Sequence, residues 1–307
     1  ILHHYAFSPY SEKIRAIFGF KKLAWKSVTI PVIMPKPDLL SLTGGYRKTP
    51  VMQIGRDVYC DTRLIAHVLD RIHPAPPLVP RPLAASCGAF VHFEPSLFSA
   101  AMGAAFQLAP AAQLMERLGG PAMLERFAKD RAALFTGGTT LRPSAEFAKA
   151  HFARHLGALD AQLSSAPFLL GAAPTLADFS MFHGLWFVLA GESVANMLDP
   201  FENVLAWLRR IGSLGRGQAS DLSAAAALEI ASRARESQPF EGELIEPIHA
   251  KLGQRVAINA TDYGVDRIEG TLVHASSVEV AVRRTDEHAG EVTVHCPRAD
   301  FKITPLE

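Results

Sequence analysis

The sequence predicts an α/β domain followed by an all-α bundle and then a small all-β barrel. Three observations carry that prediction. Over residues 1–73, short β-compatible runs and helix-like stretches follow one another as βαβ, then a helix, then ββα. From about 84 to 236 the text is rich in Ala and Leu, with helical periodicity and almost no strand signal. After Pro239, five short runs alternate apolar and polar residues between turn-forming residues, as in a small barrel of SH3-like or similar type. The expected units are therefore 1–73, 84–236 and 240–307. Five prolines at 74, 76, 77, 80 and 82 read as a stiff linker between the first two.

Residues 1–5 read as a strand. Ser8 is placed as an N-cap and Pro9 at the first position of a helix through Phe20, with Ile14, Ile17 and Phe18 as its buried stripe. Trp25–Pro31 is a second strand, and Asp38–Leu42 a short helix closed by Gly44-Gly45. Val51–Ile54 and Val58–Cys60 follow as two short strands, then a helix from Thr62 to about Arg71 that ends before Pro74. In the helical text the periodicity places helices near 84–118, 121–135, 144–164, 175–190, 200–213 and 221–236. The strands of the last unit are expected at Arg255–Asn259, Ile268–His274, Val278–Arg284, Glu291–His295 and Phe301–Thr304.

Composition excludes several classes. The 307 residues are 49% hydrophobic and 20% charged with a formal charge of +1, which provides no global field for nucleic acid or an anionic membrane. Residues 240–307 hold twelve acidic against seven basic side chains, the wrong balance for a phosphate-backbone binder. The three cysteines, Cys60, Cys87 and Cys296, are far apart and lack metal-ligand spacing, which argues for a reducing compartment. No apolar run approaches the roughly 20 residues of a membrane span, and the start has no signal-peptide character. The expectation is a cytoplasmic protein that engages neither nucleic acid nor membrane.

Two features between Tyr46 and Leu69 could anchor a small polar ligand: main-chain groups next to Pro50, and the helix N-terminus at Thr62. Both have plain structural readings, since proline is tolerated at a strand start and Asp61-Thr62 is a good cap pair. Ser8-Pro9-Tyr10-Ser11-Glu12-Lys13-Ile14-Arg15, Lys48-Thr49-Pro50-Val51, Asp61-Thr62, and Phe168-Leu169-Leu170-Gly171 with Pro174-Thr175-Leu176-Ala177-Asp178 follow one another in a set order and spacing. Together they resemble the motifs of cytosolic glutathione S-transferases, over about residues 1–215. The barrel lies outside the common family pattern.

The resemblance implies a thioredoxin-like first domain, a helical second domain and a homodimer. It implies glutathione as co-substrate and a small hydrophobic electrophile as its partner, with no metal. It assigns a cis bond to Thr49–Pro50, the cysteinyl part of glutathione to the backbone of Val51, the γ-glutamyl carboxylate to Thr62 and its ammonium to Asp61. Lys48 would reach the glycyl carboxylate. Ser8 would donate to the glutathione sulfur, and a two-unit fall of a thiol's pKa from about 8.5 corresponds to about 2.7 kcal/mol. The competing readings are that Ser8 only caps its helix, or that Tyr5 or Tyr10 supplies the hydroxyl. Thr175 and Asp178 form a capping box with a structural role.

Position 8 and position 11 are both Ser, so disulfide exchange at this helix end has no thiol nucleophile. Cys60 reads as a buried apolar filler. His151 and His155 share a helix face but have no evident third ligand, so no metal is expected. The leading expectation is conjugation of glutathione thiolate to an electrophile lodged near Phe7, Phe93, Phe98, Met102 and Phe106. A glutathione-dependent isomerase, dehalogenase or lyase is possible on the same fold. The expectation from another class is a non-catalytic glutathione-binding or interaction module whose barrel docks a protein partner.

Overall fold

Sheet order, more than any single element, determines how the chain is built. The computed structural model describes residues 1–107, 119–141, 143–191 and 194–307. In the first unit, strand β1 (Leu2–His4) lies between parallel β2 (Ala24–Thr29) and antiparallel β3 (Val51–Ile54), and β3 pairs with β4 (Asp57–Cys60). Helix α1 (Pro9–Phe20) starts where expected, with Ser8 Oγ accepting from Ser11 N at 3.2 Å and Pro9 in the first turn. Helix α2 (Pro37–Thr43) ends at Gly44, whose φ of +75° is the left-handed conformation that favours glycine at a helix end. Helix α3 (Thr62–Ile72) is capped by Asp61.

The bundle contains α4 (Ala84–Gln107), α5 (Pro121–Phe135), α6 (Ala145–Leu163), α7 (Leu176–Leu189) and α8 (Glu202–Ser213). The part of the first expected helix at 108–118 lies outside the described residues. Asp178 ties this domain together. Its carboxylate accepts from Leu169 N (2.9 Å), Thr175 N (2.8 Å), Thr175 Oγ1 (3.2 Å) and Trp207 Nε1 (2.9 Å), so one buried side chain starts α7 and links it to α8 and to the turn before it. The capping box of Thr175 and Asp178 is formed.

Two features depart from the sequence reading. A strand, β5 (Gln218–Asp221), pairs in parallel with β2, and the helix expected over 221–236 is α9 (Ala224–Arg233), which packs against α2 and the sheet. Gln53 fixes that placement by donating from Nε2 to Ala227 O at 2.9 Å. The expected all-β unit is present as β6 (Arg255–Ala260), β7 (Ile268–Ala275), β8 (Glu279–Asp286), β9 (Gly290–Pro297) and β10 (Phe301–Pro305). These strands form an antiparallel meander, but β9 pairs in parallel with β4 (Val58 opposite Val294) rather than with β10. The extra all-β region expected from the sequence is thus present, with β10 returning to pair with β6, while the ladders leave its barrel type unassigned. The edge of β4, which would otherwise stand open, takes the meander in, and one ten-stranded sheet runs β10-β6-β7-β8-β9-β4-β3-β1-β2-β5.

Strand alternation splits the interior into two cores. Leu2, Met52 and Tyr59 face α1, α3 and the bundle, in a cluster that reaches Phe152, Phe179 and Trp207. Val51, Val58 and Cys60 face the other way, with Leu39, Ala227, Val256, Val282 and Val294.

Candidate functional site

The expected anchoring residues sit at the ends of β1, β3 and β4. The Thr49–Pro50 bond is cis. Val51 follows it as a fully buried residue of β3. Asp61 has a φ of +73°, a left-handed conformation uncommon for any residue but glycine, and its carboxylate accepts from Arg63 N at 2.8 Å. Arg63 in turn reaches Asp300 at 2.6 Å. Thr62 opens α3 and is buried.

Ser8 is only 2% exposed. Besides capping α1, its hydroxyl hydrogen-bonds the Tyr5 phenol, which burial holds protonated. Tyr10 is half-buried, its ring 4.5 Å from that of Phe98 and 4.6 Å from that of His183. Burial, and then Tyr263, push its hydroxyl well above the usual range, so it stays protonated. Below it, Lys13 and Glu94 pair at 2.5 Å in full burial, and His183 Nε2 donates to Glu94 at 3.0 Å. Burial opposes ionisation of Glu94, but the Lys13 ammonium and then His183 outweigh it and hold the carboxyl at about 2.

Lys48 does not face open solvent. Its ammonium is 2.8 Å from Asp262 and 4.2 Å from the ring centroid of Tyr263, both on the turn between β6 and β7. Tyr263 also hydrogen-bonds Tyr10 and feels the Asp61 carboxylate. Lys48, Asp61 and Tyr10 are thus gathered around one residue of the C-terminal meander, while Ser8 engages Ser11 and Tyr5. A further cation, Lys36, is 3% exposed and donates to Arg47 O and Thr49 Oγ1, both at 3.1 Å. Burial, then the neighbouring Arg131, lower it to about 7.

A cavity of about 310 Å³ opens beside this region, lined by Phe7, Pro31–Pro35, Met123, Arg126 and Phe127. Of the aromatics expected near the electrophile, Phe7 lines it and Phe106 packs on Phe127 at 5.9 Å. Phe98 packs on Tyr10, and Phe93 instead on His155 at 4.7 Å. Cys60 is fully buried in the second core, and burial raises its thiol pKa, as suits a filler. His151 and His155 place their Nε2 atoms 2.8 Å apart, each near Ser96 Oγ. No group of three or more potential metal ligands is found among the described residues.

Two family models match the chain: the glutathione S-transferase N-terminal domain over residues 2–77 and the glutathione S-transferase C-terminal domain over residues 112–210. The chain belongs to the glutathione S-transferase family. A GST-like protein from Pseudomonas syringae is 37% identical, with a TM-score of 0.81 over 99% of this chain and 98% of its own, so that relative spans the meander as well. Glutathione S-transferase III in its apo form (20% identity, TM-score 0.51) covers 68% of this chain and 89% of its own. A glutathione S-transferase from Rhodospirillum rubrum (16% identity, TM-score 0.51) covers 69% of this chain and 87% of its own. At those identities the last two show the fold alone. No curated protein matches, and among the described residues no helix is long and apolar enough to cross a membrane.

The glutathione S-transferase motifs were legible in sequence, but Asp262 and Tyr263 were not. Asp262-Tyr263-Gly264 reads only as a turn between strands, and nothing local says that this turn lands on Lys48. The acidic excess of residues 240–307 was the available signal. Lys48, Arg47, Arg63, Arg56 and Arg71 face Asp262, Asp266, Asp300, Glu291 and Glu241 in turn.

Proposed function

We propose that the protein binds glutathione along the end of β3 and the N-terminus of α3 and delivers its thiolate to a small apolar electrophile. The observation that carries this reading is the apolar cavity opening at Phe7, the residue next to Ser8, together with the cis Thr49–Pro50 bond that leads into β3. Val51 would pair with the cysteinyl backbone, Thr62 and the start of α3 would take the γ-glutamyl carboxylate, and Asp61 its ammonium. Ser8 would hold the sulfur as thiolate, with Tyr5 behind its hydroxyl. The chain would contribute proximity and a lowered thiol pKa without forming a covalent enzyme intermediate. A homodimer through the first two domains belongs to the same proposal.

The test is retention on immobilised glutathione together with conjugation of glutathione to a chromogenic aryl halide or an epoxide. Both are expected for the native chain. Ser8→Ala is expected to lower kcat/KM about 100-fold while retention persists. Loss of neither retention nor turnover in that variant removes Ser8 from the chemistry, and absence of both in the native protein ends the reading. A second reading, a glutathione-binding module without turnover, is favoured by the engagement of the buried Ser8 hydroxyl with Ser11 and Tyr5. Retention without conjugation of any electrophile would select it.

A further inference from the structure

The turn Thr261–Gly264 of the meander is clamped in place over Lys48 by the helical domain. Thr139 N donates to Thr261 O (3.1 Å), Thr140 N to Asp262 O (3.0 Å), and Gly264 N to Leu134 O (2.7 Å). The Tyr263 ring stacks on Phe135 at 5.0 Å and 18°. Gly138 approaches so closely that a Cβ there would meet Asp262 O at 2.0 Å. The turn is therefore a wall of the site, held by its main chain on one side and by the Lys48–Asp262 ion pair on the other.

That wall changes what Lys48 can do. One side of the ammonium is filled by the Asp262 carboxylate and another by the Tyr263 ring, and the Lys48 side chain is only 9% exposed. The neighbouring cations are matched in the same way: Arg47 Nε faces Asp266 at 3.2 Å, and Arg63 faces Asp300 at 2.6 Å. A ligand carboxylate arriving at this end would share one ammonium with Asp262 and sit next to a like charge. A neutral amide or ester meets no such repulsion, and the Tyr263 phenol can donate to its carbonyl.

We propose that Asp262 is a specificity-determining residue of the thiol site, which selects a γ-glutamyl-cysteinyl thiol whose third residue ends in a neutral group over one ending in a free carboxylate. The inference rests on the reading above that glutathione lies along β3 with its glycyl end at Lys48. Asp262 neutralises the cation that would recognise the glycyl carboxylate, and the clamped turn keeps it there. The C-terminal meander thereby supplies part of the pocket from outside the two domains that carry the family motifs.

The experiment is calorimetric titration of the full-length protein with S-methyl glutathione and with its glycyl amide. The native protein is expected to bind the amide about tenfold more tightly than the free acid. Asp262→Asn is expected to abolish that preference, with the acid gaining about tenfold, and Asp266→Asn to leave it unchanged. In a Lys48→Met background the acid-to-amide ratio should respond less to Asp262→Asn, because only the direct repulsion from Asp262 remains, which ties the rest of the effect to this pair. Thermal unfolding of each variant verifies that it is folded. A native preference for the free acid, or a ratio that Asp262→Asn leaves unmoved, overturns the role of Asp262 while leaving glutathione binding intact. If neither ligand binds the native protein or Asp262→Asn, the proposed function itself falls and this inference falls with it.

Discussion

The helical bundle packs onto one face of the N-terminal sheet unit through α1, whereas the C-terminal meander joins that unit at an edge, through the β4–β9 ladder. Each joint buries a charged triad. At the face, Lys13, Glu94 and His183 sum to neutral when His183 is uncharged, and burial favours that form. At the edge, His295 lies between Asp57 (3.0 Å, Nε2) and Glu279 (3.0 Å, Nδ1), all fully buried. A ring that faces a carboxylate from both nitrogens donates at both only as imidazolium. Burial opposes that charge, but the hydrogen bonds to Asp57 and Glu279 outweigh it and raise the pKa. Two carboxylates around one cation leave an excess negative charge, which the main-chain donors Gln238 N (2.8 Å to Asp57) and Glu241 N (2.7 Å to Glu279) help hold. The face joint therefore depends on a carboxylate staying ionised, and the edge joint on an imidazole staying protonated.

The contrast is broken most severely at the edge. His295→Leu leaves Asp57 and Glu279 facing each other without a cation, and urea unfolding should show a loss near 5 kcal/mol, the top of the range for breaking a buried pair. Glu94→Ala strands the Lys13 ammonium at the face joint and should cost about 3–4 kcal/mol. The double variant Lys13→Met, Glu94→Leu should recover most of it, because both charges then leave the interior together. A double variant no more stable than Glu94→Ala would show that the pair contributes something other than charge balance. Within the bundle, Asp178→Ala removes an acceptor from four donors and should cost about 2–3 kcal/mol, with Trp207 fluorescence reporting loosened packing.

Titration should act more gently than deletion and sharpen the comparison, because the two joints fail at opposite ends of the pH scale. Glu94 has its folded pKa lowered to about 2, so its contribution is complete above the unfolded value of about 4.3 and is lost as pH falls toward 2. His295 has its folded pKa raised, so its contribution is complete below the unfolded value of about 6.5 and is lost as pH rises through the folded value. Hydrogen exchange should therefore open the α1–α7 contact first in acid and the β4–β9 ladder first in alkali. Loss of protection in the reverse order would refute this assignment of the triads.

Much of the fold could be read from residue patterns. Capping chemistry at Ser8, Asp61 and Thr175 marked helix starts, and apolar alternation in Ile268–His274 and Glu291–His295 marked strands. What remained hidden was adjacency. β5 is four exposed residues, Gln-Ala-Ser-Asp, with no apolar alternation to signal a strand, and it exists because β2 offers it an edge. The pairing of β4 with β9 joins strands more than two hundred residues apart, and the two patterns read equally well as separate sheets. For the same reason the sequence raised the expectation of a ligand at Lys48 without revealing its Asp262 partner.

The β4–β9 ladder also bears on synthesis. The His295–Asp57 contact closes over a separation of 238 residues, so the N-terminal sheet unit is not complete when it first emerges. At ordinary elongation rates of about 5–20 residues per second, the β4 edge waits on the order of 10–50 s for its partner, with the Asp57 carboxylate still in water. Contacts of such long range slow folding as well. The newborn chain thus carries an open strand edge at β4 until β9 has been made.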